Sequence, residues 1–402
     1  MAERQSNDII NCTFVNPARR PRKGLNSRLR GSPEGKRGMM KKVLVAMSGG
    51  VDSSVAALLL RERGFDCVGC TMRLFAGEEN PVGTEKTCCS LDDVEDARGV
   101  AFRLGMPFYV FNLTESFHDR VIAPFIESYR NGRTPNPCID CNRYLKFEKL
   151  YERAWALSCD AIATGHYARV CFDGEKYSLK KALDPSKDQS YVLYSLTQEQ
   201  LRRTLFPLGE LTKQQTRGLA ESHGFLNANK PDSQDICFVP DGDYAAFIER
   251  TTGLVFPEGD FVSPEGKVLG RHKGIIRYTV GQRRGLGVSA KEPLYVAAID
   301  PERNTVTLTG ESGFRIDTVY AERVNLISGE PLTAPIRAKV KLRYRQPERP
   351  ATVSMEDGRL RICFDEPQRA PAPGQAAVLY GEDGETVLGG GTIISSERRE
   401  GK

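Results

Sequence analysis

Nowhere in the 402-residue chain do consecutive apolar residues approach the run of about 18–20 that a membrane-crossing helix needs, so a helical membrane protein is excluded. A secretory signal is missing too. The eleven cysteines therefore read as reduced thiols of a cytosolic protein rather than as a disulfide framework. Most of the chain also lacks an excess of either charge. Residues 1–42 hold 11 Lys/Arg against 3 Asp/Glu, whereas the other 360 residues hold 46 against 49. The formal net charge of +5 thus belongs to a basic tail, and a nucleic-acid partner must be sought in local patches of a near-neutral body. There is no long internal repeat. The length fits two or three domains, and 40% hydrophobic residues suffice for a core.

Residues 1–39 have the Arg and Ser of a transit peptide, but Glu3, Asp8, Glu34 and the lack of an amphipathic repeat argue against one. They read as a disordered basic extension without a catalytic role, and Met39-Met40 allows an alternative start. From there the pattern predicts a strand over 42–47, a helix over 52–63, a strand over 67–72, a helix over 91–104 and a strand over 108–112. Helices over 115–130 and 143–156 and a strand over 161–164 continue the alternation. Alternating strands and helices predict a doubly wound α/β domain with a parallel sheet over 40–245, its ligand at the strand C-termini. Past about Tyr244 the composition turns to Gly, Pro and short alternating runs. This predicts a small central β-rich domain over 246–310 and a C-terminal β-barrel over 311–402.

Ser48-Gly49-Gly50-Val51-Asp52-Ser53-Ser54 falls between the first strand and the first helix. Glycines there let backbone N–H groups converge on an oxyanion at a helix N-terminus, the serines add donors, and Asp52 could hold magnesium or cap the helix. A tight capped turn would account for any two of these features, not for all seven residues together. Without Gly-Lys-Ser/Thr, this is no Walker A loop. The string resembles the PP-loop of the ATP pyrophosphatases, which implies that ATP is split to AMP and pyrophosphate while a substrate oxygen is adenylated.

Thr134-Pro135-Asn136-Pro137-Cys138-Ile139-Asp140-Cys141-Asn142 sets two thiols on a proline-stiffened loop, with Asn142 and Arg143 expected to open a helix. A thiolate near a helix N-terminus is stabilised, which lowers its pKa. Structural zinc, the obvious alternative for a C-x-x-C pair, usually wants four ligands and is disfavoured here. A third thiol, Cys237, lies in Asp232-Ser233-Gln234-Asp235-Ile236-Cys237-Phe238, and the Cys88-Cys89 pair suggests no role. Arg337, Lys339, Lys341, Arg343 and Arg345 alternate with apolar residues, so a strand would put five cations on one face. Without interleaved acids they would repel one another, which points to an anionic partner, with Arg283-Arg284 extending the strip. His166 at a strand end reads either as a substrate contact or as a satisfied structural histidine.

Together with Ala163-Thr164-Gly165-His166-Tyr167, Lys187-Asp188-Gln189-Ser190-Tyr191, the 279–287 string Thr-Val-Gly-Gln-Arg-Arg-Gly-Leu-Gly and Leu342-Arg343-Tyr344-Arg345-Gln346, these motifs resemble, in order, the MnmA-type tRNA-specific 2-thiouridylases over about 42–395. The resemblance implies 2-thiolation of the wobble uridine in the anticodon loop of tRNA, using ATP and Mg2+. Cys237 would carry a persulfide, and Cys141 would be the nucleophile that closes a transient disulfide with it. ATP would contact Ala46, Met47, Ser48, Gly49, Gly50, Val51, Asp52, Ser53, Met72 and Gly165. The tRNA would meet Asn136, Pro137, Cys138, His166, Lys187, Asp188, Gln189, Arg343, Tyr344 and Gln375. A uridine in a loop can be unstacked into a pocket, which suits this substrate. The sulfur donor implied is a cysteine desulfurase or a sulfur-carrier protein. Many relatives have Asp where this chain has Cys138. That leaves open an iron–sulfur cluster on Cys138, Cys141 and Cys237, beside the two-thiol relay.

Overall fold

The computed structural model describes residues 42–75, 91–231 and 236–398. The basic tail, Cys88, Cys89 and the 232–235 part of the Cys237 motif lie outside the described residues.

Strand β1 (Lys42–Ala46) is apolar and buried on both faces at Val43, Leu44 and Val45, as the middle of a parallel sheet requires. Helix α1 (Val51–Glu62), β2 (Asp66–Arg73), α2 (Leu91–Arg103) and β3 (Phe108–Asn112) follow. After two long helical stretches come β4 (Ala161–Ala163), a hairpin of β5 (Ala168–Phe172) and β6 (Tyr177–Lys181), and the short β7 (Thr204–Leu205). The sheet order is β3-β2-β1-β4-β7, parallel throughout. The chain therefore winds outward in one direction from β1 and returns on its other side at β4. This switch point is where an open α/β sheet leaves a crevice.

The helical stretches 114–130 and 137–156 each contain a π segment, at His118–Ile122 and Cys141–Lys149. The second begins six residues before the expected Arg143. Asn136 accepts the Cys138 N–H at 3.2 Å and Pro137 takes the first helical position, a favourable N-terminal pair. As a correction, Cys138 sits in the first turn and Cys141 in the second, where the dipole effect has faded.

A nine-residue helix, Tyr244–Thr252, opens the otherwise β-rich central region; Asp243 caps it by accepting the Ala246 N–H at 2.9 Å. Four strands follow, β8 (Gly259–Val262), β9 (Val268–His272), β10 (Tyr295–Asp300) and β11 (Thr305–Thr309), in the order β10-β11-β8-β9. The last part comprises β12 (Arg315–Leu326), β13 (Ile336–Lys341), β14 (Arg349–Glu356), β15 (Arg359–Arg369), β16 (Ala376–Tyr380) and β17 (Thr386–Glu397). Because β12 pairs with both β15 and β17, the six strands close into an antiparallel barrel. Strand β17 also pairs with β6, so the first domain lends its hairpin to the barrel.

One apolar cluster runs from the helical stretch 114–130 through the central sheet into the barrel. Its densest part is a knot of rings. Phe238 lies edge-on to Phe117 and Phe125 with centroids 5.8 and 5.1 Å apart, and 5.2 Å from Phe247. Such ring pairs add about 0.5–1.5 kcal/mol each beyond the area they bury. This knot anchors the chain immediately after Cys237.

Candidate active site

The phosphate loop lies at the switch point. Met47 N–H donates to Cys70 O at 2.7 Å and Thr71 Oγ1 donates to Met47 O at 2.7 Å, which ties the end of β1 to β2. Ser48 N–H donates to Ser53 Oγ at 3.1 Å, and Ser53 and Ser54 hydroxyls donate to Gly50 O at 3.1 and 3.0 Å. Gly49 has φ +74°, and a Cβ there would lie 2.4 Å from Asp93 O, so only glycine fits. Gly165, just after β4, packs on the start of α1. Ala46 is the last residue of β1 and Met72 the penultimate residue of β2, both at the C-terminal end of the parallel strands. The residues expected to contact ATP thus gather at the C-terminal end of the parallel sheet, although Met47 and Val51 pack into the apolar core beneath the loop.

Three side chains absent from the sequence-based set, Lys213, Asn227 and Lys230, surround the loop, together with Tyr167. Lys213 Nζ sits 2.7 and 2.8 Å from the Asp52 carboxylate oxygens, and the Tyr167 hydroxyl donates to Asp52 Oδ1 at 2.9 Å. Asn227 donates to Gly49 O and Ser54 Oγ, both at 2.9 Å, while its Oδ1 is buried without a partner. Lys230 next to it pairs with Asp93 and Asp96 of α2 at 2.5 and 2.8 Å. Neither Lys213 nor Asn227 carried a signal in the linear sequence. Asp52 is the loop's own carboxylate, and among the described residues no three His, Cys, Asp or Glu could hold a metal by themselves. One carboxylate completed by phosphate oxygens and water suits Mg2+.

Cys141 and Cys237 both pack against the large apolar cluster, half-buried, while Cys138 is exposed. Three domains clamp the loop that carries the first pair. Thr134 N–H donates to Pro373 O at 2.7 Å, Gln375 donates to Thr134 O and Pro135 O at 2.8 and 3.3 Å, and Thr134 Oγ1 meets Thr279 Oγ1 at 3.2 Å. From β12, Arg323 reaches Tyr144 OH at 3.0 Å and Asp140 Oδ1 at 3.5 Å. Burial raises the Asp140 pKa despite that arginine. Tyr344 donates to Asp188 O at 3.1 Å; burial, then Asp188 and the nearby Cys138, push its phenol pKa up.

Of the residues expected to meet tRNA, Gln375 braces the 134–138 loop directly, and several others spend their polar groups on neighbouring backbone. Asp188 accepts from the Ala182 and Ser190 N–H groups and from Ser190 Oγ, and Gln189 accepts from Tyr167 N–H at 3.0 Å. Lys187 stands half-buried beside them. His166 is buried: its Nε2 accepts from Lys146 at 3.4 Å, so Nδ1 carries the proton toward Thr164 Oγ1 at 2.7 Å. Burial, then Lys146, hold its pKa well below the usual histidine value. This is the structural alternative for that residue.

The expected five-cation face is corrected. Over β13, which ends at Lys341, Arg337, Lys339 and Lys341 alternate with buried Ala338 and Val340 as expected, but the strip neither continues as a strand nor stays free. Arg337 is clamped by Asp365 at 2.8 and 2.5 Å. Lys341 lies over the Tyr191 and Tyr344 rings, with burial lowering its pKa. Arg343 turns inward to Val280 O and Ala370 O at 3.2 and 3.3 Å, packed so closely on Gly281 that a Cβ would come within 2.5 Å of its Nη2. Cross-strand acids and backbone carbonyls, invisible in a linear reading, absorb the repulsion. Arg283, Arg284 and Arg345 remain exposed.

A phosphate loop at the switch point of a parallel sheet, followed by two β modules that grip a thiol-bearing loop, defines a PP-loop nucleotide-using enzyme. Family models agree in all three parts: a tRNA methyl transferase HUP domain over 41–241, a tRNA methyl transferase PRC-barrel domain over 245–309 and an aminomethyltransferase beta-barrel domain over 316–393. A tRNA-specific 2-thiouridylase MnmA of Acetivibrio thermocellus is 49% identical over 357 residues, covering 88% of this chain and 99% of its own. That of Geotalea uraniireducens is 50% identical over 362 residues, covering 88% and 95%. The chain belongs to the MnmA family of tRNA-specific 2-thiouridylases. Among the described residues no helix is long and apolar enough to cross a membrane.

Proposed function

We propose that this chain is a tRNA-uridine 2-sulfurtransferase of the cytoplasm that replaces O2 of the wobble uridine with sulfur at the expense of ATP. The observation that carries the reading is the presence, in one molecule, of an intact phosphate loop at the sheet's switch point and two half-buried thiols, Cys141 and Cys237, packed on one apolar cluster. Mg2+ would be held by Asp52 and would neutralise phosphate charge. The loop amides and Ser48 and Ser53 hydroxyls orient the ATP phosphates; Met72 and Gly165 bound the nucleotide.

Adenylation makes O2 a leaving group. The outer sulfur of a Cys237 persulfide then attacks C2 and AMP departs. Cys141 thiolate cleaves the remaining S–S bond, which leaves the sulfur on the base and a Cys141–Cys237 disulfide that a thiol reductant reopens. Sulfur reaches Cys237 from a cysteine desulfurase or a sulfur-carrier protein, and the anticodon loop docks against Asn136–Cys138, Lys187 and Tyr344. The alternative, an iron–sulfur cluster, would need Cys138, Cys141 and Cys237 to converge on one metal; among the described residues no three His, Cys, Asp or Glu do so. Iron and acid-labile sulfide analysis after anaerobic purification decides for a cluster if both appear and vanish in Cys138→Ser.

The test is reconstitution with ATP, Mg2+, transcript tRNA and a sulfur donor. 2-Thiouridine at the wobble position, with pyrophosphate release that needs tRNA, is the expected result. Sulfur at another nucleotide would favour a different PP-loop tRNA-modifying enzyme, and no tRNA-dependent pyrophosphate would leave only an RNA-binding role.

A further inference from the structure

A lysine at the first position of a helix and aimed inward is disfavoured twice. Its ammonium meets the positive end of the helix dipole and loses its water. Lys213 occupies such a place. It opens the helix Lys213–Ser222, whose Thr212 and Gln215 form a reciprocal capping box, and it is 9% exposed. Its backbone N–H donates to Asp184 Oδ2 at 3.0 Å, and its ammonium lies 5.9 Å from the centre of the Tyr167 ring. The same ammonium spans both oxygens of Asp52, the second residue of α1, whose side chain keeps 31% exposure.

For stability alone, a largely buried ion pair is a poor device, since apolar residues of similar volume often serve better. The pair has a clearer use at a loop that receives a polyanion. While the loop is empty, Asp52 would repel incoming phosphate unless neutralised, and Lys213 neutralises it. The pairing also withholds each group from its other partner, the carboxylate from a metal and the ammonium from a phosphate.

We propose that Lys213 is a phosphate-binding residue parked on Asp52 in the empty site. Mg2+ arriving with ATP takes over the carboxylate, and the ammonium swings onto the β- and γ-phosphates. The inference rests on the reading of this loop as the ATP site. Four rotatable stem carbons let the ammonium move without the backbone, while Asn227 and the Ser53 and Ser54 bonds keep the loop itself fixed. During adenylation the uridine O2–Pα bond forms and the Pα–O bond toward Pβ breaks. The electron pair leaves on pyrophosphate and the uridine N3 proton goes to water. Charge then grows on the phosphate oxygens that Lys213 holds, where a fixed cation contributes most.

Equilibrium binding of ATP and of AMP to the full-length wild type and to Lys213→Met, with Mg2+ present, tests the exchange. AMP lacks the β- and γ-phosphates. We expect ATP affinity to fall on the order of tenfold or more while AMP affinity stays within about twofold, since only ATP loses a charge-assisted contact. Pyrophosphate release at saturating ATP should slow by a further order of magnitude or more, with KM for tRNA unchanged. Equal losses for the two nucleotides, or no loss, overturn the proposal. If Lys213→Met leaves Asp52 too poorly compensated to fold, Asp52→Asn and Asp52→Asn/Lys213→Met are compared in EDTA. An ATP-selective loss in the double variant is again expected, and parity overturns it. A wild type that binds AMP and ATP nowhere sinks the ATP-site reading itself, a result distinct from either parity outcome.

Discussion

Gly165→Ala adds one methyl group where β4 gives way to the nucleotide crevice. The new Cβ would lie 2.8 Å from Ser53 N, 2.9 Å from Asp52 C and 3.1 Å from Ser53 Cα. All three are backbone atoms of the first turn of α1, so no side chain can swing aside. Tolerable contact begins near 3.4 Å, and the start of α1 must therefore retreat by about half an ångström, carrying the phosphate-cradling amides with it. A misplacement of about 1 Å can cost on the order of a hundredfold in rate, so half of that predicts about a tenfold fall in pyrophosphate release. Overpacking of this kind costs about 1–3 kcal/mol of stability, which leaves the variant folded. The assay is single-turnover pyrophosphate release at saturating tRNA, with ATP affinity and thermal midpoint measured beside it. Gly99→Ala is the control. It lies within α2 with nothing inside 4 Å of an added Cβ, and it should raise stability by up to about 1 kcal/mol without touching the rate. A Gly165→Ala enzyme with wild-type rate and affinity would refute the claim that this close approach sets the position of the loop.

Three more outcomes follow from the site. Cys237→Ser and Cys141→Ser should each abolish 2-thiouridine in digested tRNA while leaving tRNA-dependent pyrophosphate release within about threefold, because adenylation precedes sulfur transfer; loss of pyrophosphate release would contradict that order. Arg343→Met strands Val280 O and Ala370 O at the seam between the central domain and the barrel, and denaturant unfolding should register a loss of about 2–4 kcal/mol. Stability should fall on acidification. His166 and His272 are held neutral in the fold with lowered pKa values, so the unfolded chain binds more protons below about pH 6.5, and stability present above that pH is lost as it falls. Each histidine contributes a slope of at most about 1.4 kcal/mol per pH unit. His166→Gln should remove one share of it in urea melts between pH 7.5 and 5.5, and an unchanged slope would count against the buried neutral ring.

What could be read in the linear chain depended on how far apart the interacting groups lie. The phosphate loop was legible because its seven residues are contiguous and their meaning depends only on the strand before and the helix after. The winding of the sheet followed from alternation alone. The cation strip misled because the acid that answers Arg337 is 28 residues away on another strand, and Arg343 leaves the strand altogether to cap carbonyls 27 and 63 residues distant. Lys213 was missed because its partner is 161 residues earlier. The β5–β6 hairpin is local and simple, but its docking onto β17 of the barrel has no signature in sequence.

That docking, with the clamp on the 134–138 loop, bears on why one thiol-bearing loop is held by three domains. The loop belongs to the nucleotide-binding domain in sequence, yet its Thr134 backbone is fixed by Pro373 and Gln375 of the barrel and its side chain by Thr279 of the central domain. Arg323 and Tyr344 of the barrel reach the same segment through Asp140, Tyr144 and Asp188. A thiol loop held only by its own domain would carry the fluctuations of an exposed connection. Held from three sides, it keeps Cys141 on the apolar cluster that also supports Cys237, whose neighbour Phe238 is locked in the ring knot. Sulfur transfer between thiols on separate loops is sensitive to their separation, and effective concentration falls quickly when either loop wanders. On the proposed relay, the β modules would therefore fix the geometry between the two thiols.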